Sequence, residues 1–414
     1  MVLGYATQFP TATSHSDGFD SGPLLAQNTS LPPDCCLYSG MDSFSHQYVT
    51  SFSMPDDILE SIARECTPNT LVALCLINRT LYNIAIIHLY RDPFTWAGTH
   101  VHEGSSDETW SAKLCNTIAM NPYLGSLVRS YRNPIGVGTG SRRKSMLTRA
   151  EEETILPCLP NLSTINLHNA LKRFASLCPA SRLNTIRLSA TFCAVMDEAT
   201  WRWVEGQSQT LRELDLGFHT VPLDITSSVG FPSLRSLGAS PEAASIILPN
   251  ASVQEFSCRY GPYAWTEESL TQIIPLLGIN LRRIRHISLW SDTIQHFSML
   301  LRSYCPNVDT IALSIEYPEM RGSNPTSLAD LVISAIYDIP RLKTLVVDIR
   351  FDVPFDIDTE RPMRMTKSVA ESCPLLYRVQ WTAPRREWSQ LNRTVYSHTL
   401  DDGWWKTAPE FEID

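Results

Sequence analysis

One pattern of apolar and polar positions recurs along most of the chain: an apolar residue, two positions of any kind, a second apolar residue, one polar position and a third apolar residue. It reads Leu162-x-x-Ile165-x-Leu167, Leu183-x-x-Ile186-x-Leu188 and Leu211-x-x-Leu214-x-Leu216. It recurs as Ile284-x-x-Ile287-x-Leu289, Val308-x-x-Ile311-x-Leu313, Leu342-x-x-Leu345-x-Val347 and Leu376-x-x-Val379-x-Trp381. Weaker versions stand at Leu234-x-x-Leu237 and Val253-x-x-Phe256-x-Cys258, and Leu124-x-x-Leu127 reads as a degenerate first member. The alternating tail suits a short strand, and the leading residue points into the same core. Helices are predicted between the strands at 195–205, 266–277, 292–304, 327–338 and 364–373, with Leu300-Leu301 and Val332-Ile333 supplying apolar faces. Some helical stretches close on Cys-Pro (Cys178-Pro179, Cys305-Pro306, Cys373-Pro374), where the proline stops the helix and the thiol reads as a small buried side chain. The fold class is therefore α/β. The competing architecture, a doubly wound sheet, needs a glycine-rich first turn and nearly continuous apolar strands, and neither is present.

A different periodicity precedes these units. Residues 54–89 read as three short helices. Ser53 and Asp56 make a capping-box pattern for the first, with Pro55 in a turn that needs no N–H. Ile58, Leu59 and Ile62 then form an apolar stripe opposite Asp57, Glu60 and Arg64. Thr67-Pro68 opens a second helix carrying Leu71, Val72, Leu74 and Cys75; Asn78 opens a third with Leu81, Tyr82, Ala85 and Leu89. A block under about 40 residues cannot bury enough apolar surface to stand alone. It contains no Cys/His metal spacing, so its support must be another protein, the following domain, or both.

The run Met54-Pro55-Asp56-Asp57-Ile58-Leu59, followed by Thr67-Pro68-x-x-Leu71 and by Leu76-Ile77-Asn78-Arg79 with Leu81-Tyr82, resembles the F-box motif. The later units resemble F-box proteins with leucine-rich repeats, the fungal kind in particular, although spacings of about 19 to 34 residues are wider than regular repeats of that class. Met54, Asp57 and Tyr82 depart from the commoner Leu, Glu and Trp while keeping size or charge. The resemblance implies a three-helix F-box followed by an irregular leucine-rich-repeat solenoid. The implied division is a leader at 1–50, the F-box at 51–92, a linker helix at 93–123 around Trp110, Leu114 and Ile118, the repeats at 124–385, and a C-terminal cap and tail at 386–414. It implies docking onto a Skp-type adaptor and, through it, a cullin, with Pro55, Ile58, Leu59, Ile62, Leu71, Leu74 and Ile77 as the contact and packing set. The alternative for the same residues is a helical lid on the following domain.

If the strands stack, the positions between the buried ones share one face, and a protein target is expected there. The candidates are His168, Arg187, Asp215, Arg259, His286, Trp290, Arg378 and Gln380, because mixed charge with Trp, Arg and His suits protein recognition. An ordinary solvated sheet face would carry similar residues. The function expected from the resemblance is substrate recognition in a ubiquitin ligase, without chemistry of its own; the alternative is a repeat scaffold not coupled to a cullin.

Composition narrows this further. A chain of 414 residues with 43% hydrophobic content can bury a sizeable core, and a net charge of −9 argues against nucleic-acid binding. No apolar run reaches the roughly 18 residues of a membrane span, and MVLGYATQFP lacks a basic, then apolar, secretory pattern, so a cytoplasmic or nuclear location is expected. Eleven cysteines with no Cys-x-x-Cys pair indicate neither a disulfide framework nor zinc, and the vicinal Cys35-Cys36 sits in a polar leader rich in Ser, Thr, Gly and Pro. No cofactor is expected. Gly136 to Ser145 imitates a phosphate loop, but Arg143 stands where glycine must precede the lysine, and Ser141-x-x-Lys144 is a coincidence of a basic loop. His100-x-His102-Glu103 lacks a third ligand nearby; Asp356-x-Asp358 and Asp401-Asp402 lack a companion base. Trp381, Trp388, Trp404 and Trp405 read as a cap over the last unit.

Overall fold

The computed structural model describes residues 54–94, 108–132, 147–167, 171–189, 194–221, 229–258, 265–316, 336, 339–350, 361–384, 393–401 and 404–408. They are an α/β arrangement built on a largely parallel sheet, within one unit running from Met54 to Asp414. Three helices come first: α1 (Asp56–Glu65), α2 (Pro68–Cys75) and α3 (Arg79–Arg91). Thr67 and Asn78 cap α2 and α3 through their side chains, as the sequence predicts. At α1 the expectation fails, because Pro55 itself is the cap residue and makes no side-chain cap bond. The helix starts two residues later than predicted, leaving Asp56 and Asp57 in its first turn, where their charge favours the helix dipole.

Helices α4 (Glu108–Met120) and α5 (Pro122–Leu127, capped by Asn121) lead into β1 (Ser130–Arg132). Leu124 and Leu127 thus lie in a helix and are not the first repeat member. The residues that occupy those motif positions are Val128 and Tyr131, both 0% exposed, with Tyr131 in register with Ile165. Tyrosine and valine in place of leucine hid the motif from pattern matching, and Leu124-x-x-Leu127 satisfied the spacing by helical periodicity instead.

The remaining elements alternate. They are α6 (Arg149–Ile155), β2 (Thr164–Leu167), α7 (Leu171–Leu177), β3 (Thr185–Leu188), β4 (Ala194–Val195), α8 (Glu198–Glu205), β5 (Glu213–Asp215), β6 (His219–Thr220) and β7 (Ser236–Gly238). Next come α9 (Pro241–Ile247), β8 (Glu255–Cys258), α10 (Glu267–Leu277), β9 (Arg283–Trp290), α11 (Ile294–Tyr304), β10 (Thr310–Glu316), β11 (Thr344–Arg350), α12 (Arg361–Ser372), β12 (Arg378–Pro384), β13 (Arg393–Asp401) and β14 (Trp404–Ala408). The helix predicted at 327–338 lies outside the described residues except at Ile336. Helices α6 and α9 were not predicted, yet both carried legible start signals: Thr148 and Glu151 close a capping box, and Ser240 caps a helix with Pro241 at its first position.

Among the described residues the main sheet has the order β1-β2-β3-β5-β7-β8-β9-β10-β11-β12-β13-β14, and β4 pairs with β6 apart from it. Neighbours from β1 to β12 are parallel, which requires a crossover between each pair; β13 and β14 are antiparallel and lengthen the sheet beyond β12. The order advances in one direction and never reverses, so the strand reversal that defines a doubly wound sheet is missing. Register explains the sequence pattern. Tyr131, Ile165, Ile186, Leu214, Leu237, Phe256, Ile284, Ile311, Leu345 and Val379 pair in succession, forming one apolar row across ten strands. Every apolar residue of the motifs from Leu162 to Trp381 is at most 3% exposed.

The Cys-Pro stops have a shared role. Cys178 Sγ donates to Leu156 O at 3.6 Å, Cys305 Sγ to Ile274 O at 3.6 Å and Cys373 Sγ to Ile336 O at 3.5 Å. Each acceptor belongs to a preceding unit, so the small buried thiol ties one unit to the one before it; Leu156 O and Ile336 O also accept from Leu159 N and Ile339 N.

Candidate functional site

The three N-terminal helices have a small core of their own. Ala63, Leu71 and Ala85 are buried together, with Cys66, Leu74, Cys75, Ile84 and Leu89 packed around them in part. Burying one leucine contributes about 1.5–3 kcal/mol, whereas ordering a residue's backbone costs about 1–2 kcal/mol, so this core cannot hold three helices by itself. The block leans on the main body where α3 ends: Tyr90 packs against the main core, Phe94 enters it and stacks edge-on with Tyr131 at 4.9 Å, and Arg91 O accepts from Arg129 N.

The rest of the block's apolar surface faces outward. Among the described residues, Met54, Ile58, Ile62, Val72, Leu76, Ile77, Tyr82 and Ile87 are eight of the eighteen large apolar side chains that remain exposed, with Leu76 at 83% and Ile77 at 63%. Of the predicted adaptor-contact set, Pro55, Ile58, Ile62 and Ile77 are exposed and Leu59 and Leu74 half-buried. Leu71 is different. At 1% exposure it is the centre of the small core and is a packing residue, with no surface to offer a partner.

The sheet face predicted to meet a target alternates as expected: Thr164, Asn166, Thr185, Glu213, Asp215, Glu255 and Ser257 are half-buried and each is followed by a buried residue, and Arg187 is exposed. Its charges are already joined. Arg187 donates to both carboxylate oxygens of Glu213, at 2.8 and 3.0 Å. Arg285 reaches Glu255 at 2.5 Å and Glu213 at 3.9 Å, and Arg283 lies 3.5 Å from Glu255. The sequence reading missed Arg283 and Arg285. A bulge between Ile284 and His286 shifts the pairing so that Ser257 faces His286, and Arg285 is the inserted residue that turns toward the two glutamates. Three arginines and two glutamates thus span β3 to β9 as one charged band.

The other candidates divide. Asp215 accepts from Gly217 N at 2.9 Å and lies so close over Gly238 that a Cβ there would sit 2.5 Å from its Oδ1; its role is to fix the local turn. His286 Nε2 is 3.3 Å from Ser288 Oγ, Trp290 is half-buried, and Arg378 is exposed over the Tyr377 ring at 5.5 Å. Gln380 is 8% exposed, which removes it as a target contact; its strand is an inner one, paired with β11 on one edge and β13 on the other. His168 and Arg259 lie outside the described residues. So do Cys35-Cys36, His100, His102 and Glu103, the glycine-rich stretch from Gly136 to Ser145, Asp356, Asp358, Asp402 and Trp388.

Among the described residues no three His, Cys, Asp or Glu side chains come together as a metal site, and no helix is long and apolar enough to cross a membrane. Burial pushes the Cys305 thiol up to about 12 and the Cys178 thiol to about 11, far from thiolate reactivity. Native-state alkylation at mildly alkaline pH is therefore expected to spare Cys178 and Cys305 while modifying the half-exposed Cys66. Peptide mass mapping checks this, and equal labelling of Cys305 and Cys66 in the folded protein would contradict the packing.

No protein-family model matches the chain, and comparison with curated proteins gives no match.

Proposed function

We propose that this protein is a substrate-recognition subunit of a Skp–cullin–F-box ubiquitin ligase. In this reading α1 to α3 are the F-box, the strand–helix units from β1 to β12 are an irregular leucine-rich-repeat solenoid, and the chain performs no chemistry itself. The adaptor takes the apolar face of the helices, and a protein target takes the sheet face around Arg187, Glu213, Arg285 and Glu255. Holding a target lysine near a charged conjugating enzyme converts a bimolecular encounter into a local one. One observation carries the reading: a three-helix block whose own core is two alanines and a leucine exposes eight large apolar side chains, surface that water disfavours and a partner would cover.

The test uses purified Skp-type adaptor. Ile58→Asp with Ile62→Asp places two carboxylates on exposed positions, so the circular dichroism spectrum is expected to stay that of the wild type while adaptor affinity falls about thirtyfold or more. Unchanged affinity in the double variant would remove this face as the docking site. No adaptor binding by the wild type would favour the scaffold alternative, in which the units bind partners without a cullin.

A further inference from the structure

We infer that the groove between the helical block and the first strands binds a phosphoryl group. The groove has a volume of about 410 Å³ and is floored by β1 and the residues leading into β2. Arg64 reaches it from α1, His88 and Arg91 from α3, and Arg129 and Arg132 from the entry and last position of β1; Asp92 is the acidic residue among those that line it. A chain with a net charge of −9 therefore gathers four arginines around one small concavity.

Helix dipoles account for part of this, since Arg64 and Arg91 stand in the last turns of α1 and α3, where cations are favoured. They do not account for Arg129 and Arg132, which come from the sheet. Arg64 has one acidic neighbour, Glu60 at 3.6 Å, in a pair exposed at both ends and of little strength. Arg129 donates one guanidinium N–H to Asn161 O at 3.1 Å. Arg132 Nε is buried with no acceptor among the described residues, Asp92 Oδ1 is buried with no donor among them, and neither Arg129 nor Arg132 is paired with a carboxylate there. A guanidinium cannot shed its proton, so all four arginines keep their charge around the groove. A tetrahedral dianion supplies several acceptor oxygens at once and matches the fork of an arginine, and the volume suits a phosphoryl group with a small attached body. The same group could be delivered by a free phosphorylated small molecule or by a phosphorylated side chain of a bound protein, and the chemistry of recognition is shared.

Calorimetry on the full chain at low ionic strength separates the two sources. One arm titrates inorganic pyrophosphate; the other titrates a short phosphoserine peptide and its unphosphorylated form. Saturable binding is expected in at least one arm, with the unphosphorylated peptide silent. Arg132→Gln and, separately, the exposed Arg91→Gln should each weaken it about tenfold or more, while Arg302→Gln in the last turn of α11, exposed and far along the chain from the groove, leaves it unchanged. Binding of pyrophosphate assigns the groove to a free ligand, and binding of the phosphopeptide alone assigns it to a modified protein. Absence of saturable binding in both arms, or binding that Arg91→Gln leaves intact or that Arg302→Gln weakens equally, overturns the assignment. The adaptor experiment reads a different face, so either proposal can fail without the other.

Discussion

Leu71→Asp is expected to unfold the three N-terminal helices while the sheet behind them stays folded. The leucine is 1% exposed and meets Ala63 and Ala85, so the aspartate would put a carboxylate into the small apolar core of the block. Stranding a buried charge in this way costs about 3–5 kcal/mol, more than a core of one leucine and two alanines can absorb. Hydrogen exchange followed by mass spectrometry is the appropriate measurement: amides of 68–89 should lose protection, and those of β9 and β10 should keep theirs. Retained protection across α2 and α3 would mean that the block is held by something other than this core. The outcome also sorts the predicted contact residues, since loss of adaptor binding by Leu71→Asp would report unfolding, whereas loss by Ile58→Asp with Ile62→Asp would report the surface.

The second large effect is expected at Trp201 of α8. Its side chain is 0% exposed, packs 6.4 Å from the Phe231 ring, and donates from Nε1 to Glu205 Oε1 at 3.0 Å. Glu205 is itself buried and takes a second bond from Arg202 at 2.8 Å. Trp201→Ala opens a cavity between α8 and the segment entering β7 and removes one partner of a buried carboxylate, for a loss of about 3–5 kcal/mol. Trp201→Phe keeps most of the ring contact and should lose less. Urea unfolding of both variants tests this through the midpoint, and a Trp201→Ala midpoint equal to that of the wild type would show that the helix layer does not depend on this ring.

Local chemistry carried much of the fold. The alternation in Leu-x-x-Leu-x-Leu fixes which side chains turn inward, and the thirds of the motif reach the same buried row because parallel strands in sequential order repeat one register. Caps at Thr67 and Asn78 were legible because a hydroxyl or amide before a helix has one obvious use. The first strand was misplaced, since Leu124 and Leu127 fit the spacing equally well on a helix, and nothing local tells a 3-residue helical interval from the same interval ahead of a strand. Arg285 escaped notice because its exposure depends on a bulge, and Gln380 was misassigned because a strand's polar position is accessible only if no further structure covers it.

For this protein the sequence by itself determined the α/β alternation, the identity of the buried row from β2 onward and the amphipathic character of the helical block, all of which follow from side-chain periodicity over a few residues. Only the tertiary structure decided that Leu71 is packing while Ile58 and Ile62 face outward, that Arg187, Glu213, Arg285 and Glu255 form one band, and that Arg64, Arg91, Arg129 and Arg132 share a groove. These groups are brought together by the stacking of one unit on the next, and the distance between two side chains on different units is set by that stacking and by no local preference.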